Sequence, residues 1–282
     1  MAFSARILIA AVFFPISMAH AGLLAVGPWP NDSSFPPMDL FSVSSTTGLP
    51  TSIGSTGIAR LQGLTLGPSG NLLSTNGPRL YSIDPNNGAT TELVTLPFNS
   101  IEGGIAHQPG TDNVFVVNSG VVAAEGLYLY DLANNTGGFV GGFGFASDRD
   151  ISGAAFDSNG ILHILHSGVT LATNTLLIAT VDPNTGTATD VLNTGIANSG
   201  VAGLAFNGAG TGFFTNGNEL YSFDVGNSTT NLVGASGLSG RLSGLVFVQQ
   251  TTVIPEPSAF ALFAMGSLCL VRSRRRKALR AA

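Results

Sequence analysis

The chain has 282 residues, 44% of them hydrophobic and only 10% charged, with a net charge of −5. Its one cysteine, Cys269, falls near the C-terminus, so the residues before it have neither a disulfide framework nor thiol chemistry. From Gly22 to Ile254, Arg60, Arg79, Arg149 and Arg241 are the only basic residues against fifteen carboxylates, a net −11 that repels phosphate backbones and disfavours nucleic-acid binding.

Met1 to Ala21 reads as a secretory signal helix. Arg6 supplies one positive charge, Ile7 to Met18 is apolar, and Ala19-His20-Ala21 fits a small-x-small cleavage site. Cleavage after Ala21 would leave Gly22 as the first residue of a body exported by the Sec machinery. Gly22 rather than a cysteine directly follows that site, so lipoprotein processing is not expected.

The body, residues 22–252, is a repeat. One unit runs Gln62-Gly63-Leu64-Thr65-Leu66, Leu72 to Asn76, Leu80 to Asp84-Pro85-Asn86-Asn87-Gly88, and Thr91-Glu92-Leu93-Val94. The last full unit echoes it with Gly203 to Phe206, Gly212 to Asn216, Leu220 to Asp224 and Asn231-Leu232-Val233. The leading glycines stand at 63, 104, 153, 203 and 244, giving spacings of 41, 49, 50 and 41 residues. Each unit holds four short β-branched or aromatic runs bounded by Gly, Pro and Asn, which predicts strands; no sustained helical period appears. Four strands in about 40–50 residues is the period of a propeller blade. The units loosely resemble the Gly-Leu-Ala-Phe, Leu-Tyr, Asp-Pro-x-x-Gly blades of secreted bacterial propellers.

Counting the ends predicts closure. Ser243 to Phe247 supplies one inner strand, and Leu23 to Pro28, Leu40 to Val43 and Thr51 to Gly54 supply the three strands it lacks. The expectation is an all-β, five-bladed propeller, closed by one C-terminal and three N-terminal strands so that no long sheet edge is left open.

Candidate chemistry in the body is sparse. His163-x-x-His166 has a metal-like spacing, but strand residues three apart point to opposite faces. His107 falls on another blade's innermost strand or turn. Asp84, Asp182 and Asp224 recur at one blade position, where a carboxylate starts a β-turn. Asp148-Arg149-Asp150 precedes an inner strand and reads as a local ion pair or a binding trio. Glu102, Asp148 and Arg241 form a candidate mixed-charge ring at one channel mouth. Gly137 to Phe145 reads as a flexible connection with occasional core aromatics, or a carbohydrate-stacking patch. There is no Gly-x-Ser-x-Gly, phosphate loop or calcium loop, and no catalytic residue, cofactor or metal is assigned.

The tail, residues 253–282, has three parts. Pro255-Glu256-Pro257 stays extended because both prolines fix φ and lack a donor. Ala259 to Val271 is uncharged, but thirteen helical residues reach only about 20 Å of the ~30 Å a bilayer core requires. Arg272, Arg274, Arg275, Arg276 and Lys277 then form a basic cluster that stays on the cytoplasmic side. This order suits transient contact with the inner membrane better than a permanent span. The tail resembles the PEP-CTERM sorting signal of Gram-negative bacteria, on the Pro-Glu-Pro, the short apolar helix and the arginine cluster. The resemblance implies an exosortase-type transpeptidase that removes the tail and releases or attaches the protein at the cell surface.

Two functions follow as expectations. The first is a non-enzymatic surface or extracellular-matrix protein, with extracellular polysaccharide as a partner. The alternative is a secreted metal-dependent hydrolase, lactonase-like, with the metal in the propeller channel.

Overall fold

The computed structural model describes residues 22–29, 36–100, 103–119, 124–145, 149–168, 174–200 and 203–248. The signal helix and the tail helix expected from the sequence lie outside them, as do Glu102 and Asp148. All described regular structure is β.

Twenty strands form five antiparallel four-stranded sheets. Blade 1 holds β4 (Gln62–Leu66), β5 (Leu72–Asn76), β6 (Arg79–Ile83) and β7 (Thr90–Thr95). Blade 2 holds β8 (Ile105–His107), β9 (Asn113–Asn118), β10 (Gly126–Asp131) and β11 (Thr136–Gly141). Blade 3 holds β12 (Arg149–Phe156), β13 (Leu162–Gly168), β14 (Thr175–Val181) and β15 (Ala188–Ala197). Blade 4 holds β16 (Leu204–Phe206), β17 (Gly212–Asn216), β18 (Glu219–Asp224) and β19 (Thr229–Ala235). Blade 5 is shared between the chain's two ends, in the order β20 (Gly244–Val248), β1 (Gly22–Gly27), β2 (Asp39–Val43) and β3 (Pro50–Ser55). The expected closure by one C-terminal and three N-terminal strands is thus the observed one.

Alternation along the middle strands divides the core. In β5, Leu72 faces blade 5 and Leu73 faces blade 2; in β1, Leu24 and Leu23 split between blades 1 and 4. Every blade is covered on both faces, so there are five apolar clusters, one in each seam between neighbouring blades. Outer strands show the opposite pattern, mostly exposed Thr, Ser and Asn.

Two features repeat with the blades. The turn before each outer strand begins with a side-chain acceptor, Ser44, Asp84, Asp131, Asp182 or Asp224, that binds backbone amides two or three residues on. Each outer strand also breaks register at the same place, opposite Leu40/Phe41, Leu80/Tyr81, Leu127/Tyr128, Ile178/Ala179 and Leu220/Tyr221. Such a bulge strengthens local twist. Gly137 to Gly141 is therefore regular outer strand, not the flexible connection expected, because its backbone completes the ladder with β10.

The leading glycines explain how tightly the ring closes. A Cβ on Gly63 would meet the backbone of Gly104 and Ile105, one on Gly104 that of Gly153 and Ala154, and one on Gly153 that of Gly203 and Leu204. Gly203 faces Gly244 and Leu245 in the same way, and Gly244 returns to Gly63. Five innermost strands thus touch backbone to backbone around the axis. Gly63 also sits at φ +65°, where a side chain would be strained. Ser243 Oγ donates to Leu61 O at 2.9 Å, tying blade 5 to blade 1 where the ends of the chain meet.

Candidate functional site

Above the glycine ring, where the innermost strands begin, lies a cavity of about 200 Å³ lined by Trp29, Gln62, Gly103, Asp150, Ile151, Ser152, Gly200 and Arg241. Every blade contributes. Gln62 comes from blade 1, Gly103 from the entry to blade 2, Asp150, Ile151 and Ser152 from blade 3, Gly200 from the entry to blade 4, and Trp29 and Arg241 from blade 5.

The mouth is held by asparagines and hydroxyls at the ends of second strands. Asn76 Nδ2 donates to Ala59 O and Asn216 Nδ2 to Ala197 O, each fixing the segment that enters an inner strand. Asn216 Oδ1 also accepts from Ser199 N and Oγ, both at 2.8 Å. In blade 3 the equivalent residue is Ser167, which works through Asn198. Asn198 Nδ2 donates to Ser167 Oγ at 2.8 Å and to Asp150 Oδ2 at 3.1 Å, while its Oδ1 accepts from Gly200 N. One side chain therefore fixes both the carboxylate and the adjacent wall.

Trp29 and Arg241 are placed together by a two-hydrogen-bond bridge, Trp29 N to Arg241 O at 2.6 Å and Arg241 N to Trp29 O at 3.0 Å. The Arg241 guanidinium lies over the Cα of Gly200, where any side chain would collide with it. Two lining residues, only 7% and 5% exposed, carry buried polar atoms without a hydrogen-bond partner, Gln62 Oε1 and Ser152 Oγ. Leaving each unpaired costs about 1–3 kcal/mol.

Of the expected mouth residues, Arg241 is on the cavity wall. Of the Asp148-Arg149-Asp150 segment, only Arg149 and Asp150 are described. Asp150 faces the cavity and takes Asn198, whereas Arg149 turns away and lies 5.1 Å over the Phe145 ring. Gln62, Ser152, Asn198 and Trp29 were not anticipated. Gln62 and Ser152 could have been, because each immediately precedes a leading glycine.

The histidines diverge as strand geometry requires. His163 Nε2 is 3.3 Å from Asp157 Oδ2 and its ring packs on Phe206, in the seam toward blade 4. His166, wholly buried, lies 2.7 Å from Asp190 Oδ1 and packs on Phe145, in the seam toward blade 2. Burial holds both below the usual histidine range, against the pull of their carboxylate partners; Arg149 adds to the depression at His166. His107 ends β8 and its Nε2 is 2.7 Å from Thr111 O, apart from both. Among the described residues no three His, Cys, Asp or Glu side chains group as metal ligands do. Asp84, Asp182 and Asp224 hold their turns, and amide donors keep Asp131, Asp182 and Asp224 below the usual carboxylate range.

Comparison with known proteins bears on both parts of the chain. No curated protein matches it. Among solved structures, a chain of a nidogen/laminin complex superposes with a TM-score of 0.54 at 13% identity, over 82% of this chain and 99% of that one. TolB from Acinetobacter baumannii superposes with a TM-score of 0.48 at 15% identity, over 76% of this chain and 52% of its own. At such identity the nidogen/laminin match speaks for the fold alone. Residues 253–276 match the PEP-CTERM protein-sorting motif. The chain is a five-bladed propeller bearing a PEP-CTERM sorting motif, which implies export, sorting to the cell surface and an exosortase-type processing partner.

Proposed function

We propose that this is an exported surface or extracellular-matrix protein. In this reading its propeller is a non-enzymatic binding module, and its tail is removed at or near Pro255-Glu256-Pro257. The observation that carries it is the sorting motif at residues 253–276, attached to a body whose two ends meet in one sheet. Gly22 pairs with Val248, so trimming before the one and beyond the other leaves the β1–β20 ladder whole. The mouth supports binding over catalysis. Among the described residues that line it, the one carboxylate, Asp150, is held by Asn198, and the others are amide, hydroxyl, guanidinium, glycine and apolar.

Intact-mass analysis of protein recovered from its native host tests this. A species starting at Gly22 and ending near the Pro-Glu-Pro is expected. A mass that retains Ala259 to Ala282 would make the tail a plain anchor. Stoichiometric zinc or calcium in the recovered protein would favour the hydrolase instead.

A further inference from the structure

We propose that the channel mouth binds a carboxylated sugar unit of the uronic-acid type; this rests on the binding-module reading above. Size comes first. About 200 Å³, roughly seven water volumes, admits most of one six-membered ring but not an extended peptide or a nucleotide. The glycine ring forms the floor, so the ligand enters and leaves by one side.

Polar chemistry then selects the class. Gln62 Oε1 is an acceptor lacking a donor, and Ser152 Oγ can give or take a hydrogen bond. They come from blades 1 and 3, which are separated by blade 2, so a ligand serving both must carry polar groups around its circumference. A ring of hydroxyls does this; a single ammonium does not. Trp29, half-buried at the wall, offers apolar surface of the kind that receives the C–H face of a pyranose.

Charge fixes the rest. Among the described residues Arg241 makes no ion pair and is the one cation lining the cavity, in a body with net charge −11. A guanidinium half-buried at a mouth is suited to a carboxylate in two-pronged contact. Asp150, already engaged by Asn198, is left to accept from a ligand hydroxyl and to repel a second acid group.

Trp29 is the sole tryptophan, so its emission reports on the cavity directly. The full chain, purified in detergent, would be titrated with glucuronate, glucose and glycine. Saturable change with glucuronate at about tenfold or lower concentration than with glucose is expected. Arg241→Gln should weaken glucuronate by about 10- to 100-fold and leave glucose unchanged. Gln62→Leu should weaken both sugars. No saturable response to glucuronate, equal response to both sugars, indifference to Arg241→Gln, or preference for glycine would each overturn the proposal. Should Arg241→Gln not fold, Gln62→Leu alone decides, since its failure to weaken either sugar removes the hydroxyl-binding role. A chain trimmed as expected but silent to glucuronate rejects this ligand and leaves the sorting reading standing.

Discussion

The seam between blades 5 and 1 and the seam between blades 1 and 2 are built from the same turn and the same outer strand, yet they close differently. In the first, Gly88 of the turn meets Gly54 of the neighbouring outer strand, backbone against backbone. In the second the matching positions are Asn135 and Val94, and Val94 shares an apolar cluster with Leu132 of the turn. Gly48 with Gly234 and Gly186 with Gly141 repeat the first solution, while Ser228 with Leu192, alongside Val225, repeats the second. The inner ring has no such choice: all five positions are glycine. Blades converge on the axis and fan apart at the rim, so only the rim has room to exchange backbone contact for side chains.

That contrast can be broken in graded ways. Gly104→Ala should be the most damaging change, costing about 3 kcal/mol or more in urea unfolding, because its Cβ would enter the backbone of blade 3. A near-normal midpoint would mean that the ring can dilate. At the rim, Gly54→Ala should cost about 1–3 kcal/mol, against about 1 kcal/mol for the half-buried Val94→Ala. Equal losses would erase the distinction between the two seam types.

Acid probes both seam types through blade 3, since His166 lies in the glycine-locked seam with blade 2 and His163 in the apolar seam with blade 4. Folded values for both are depressed below the ordinary ~6.5. The unfolded chain therefore takes up protons first, so stability is whole above about pH 6.5 and is lost as pH falls through the folded values. Melting temperature followed from about pH 7.5 down to about pH 5 should show this loss. His166→Gln should flatten it more than His163→Gln, because only His166 also faces Arg149. A flat wild-type profile would refute the burial effect. Smallest of all, Glu92→Gln breaks only the exposed 3.6 Å contact with Arg79, on the face of blade 1 toward blade 5, and should leave the unfolding midpoint where it was.

Local repetition made the blades legible. Leading glycines, Leu-Tyr pairs and aspartate turns all follow from neighbours within a few residues, and they located the strands and the closing blade. The outer strands were less legible. Leu93-Val94 and Leu232-Val233 look equivalent, but the ladder sets Tyr81 opposite Glu92 and Tyr221 opposite Leu232, so Val94 answers to Gly234. The turns fix that register, and a half-exposed strand has too weak an apolar pattern to reveal it. Gly137 to Gly141 misled for the same reason: its glycines leave no alternation to read.

The strand period, the blade count, the acidic, lysine-free body and the three-part tail can all be read along the chain, because each depends on residues close together in it. Tertiary structure alone decided that Trp29 stands beside Arg241, that Asp150 faces inward while Arg149 faces Phe145, and that Gln62 and Ser152 are left unpaired over a common floor. These depend on five blades converging on one axis, a condition that no single unit of the repeat contains.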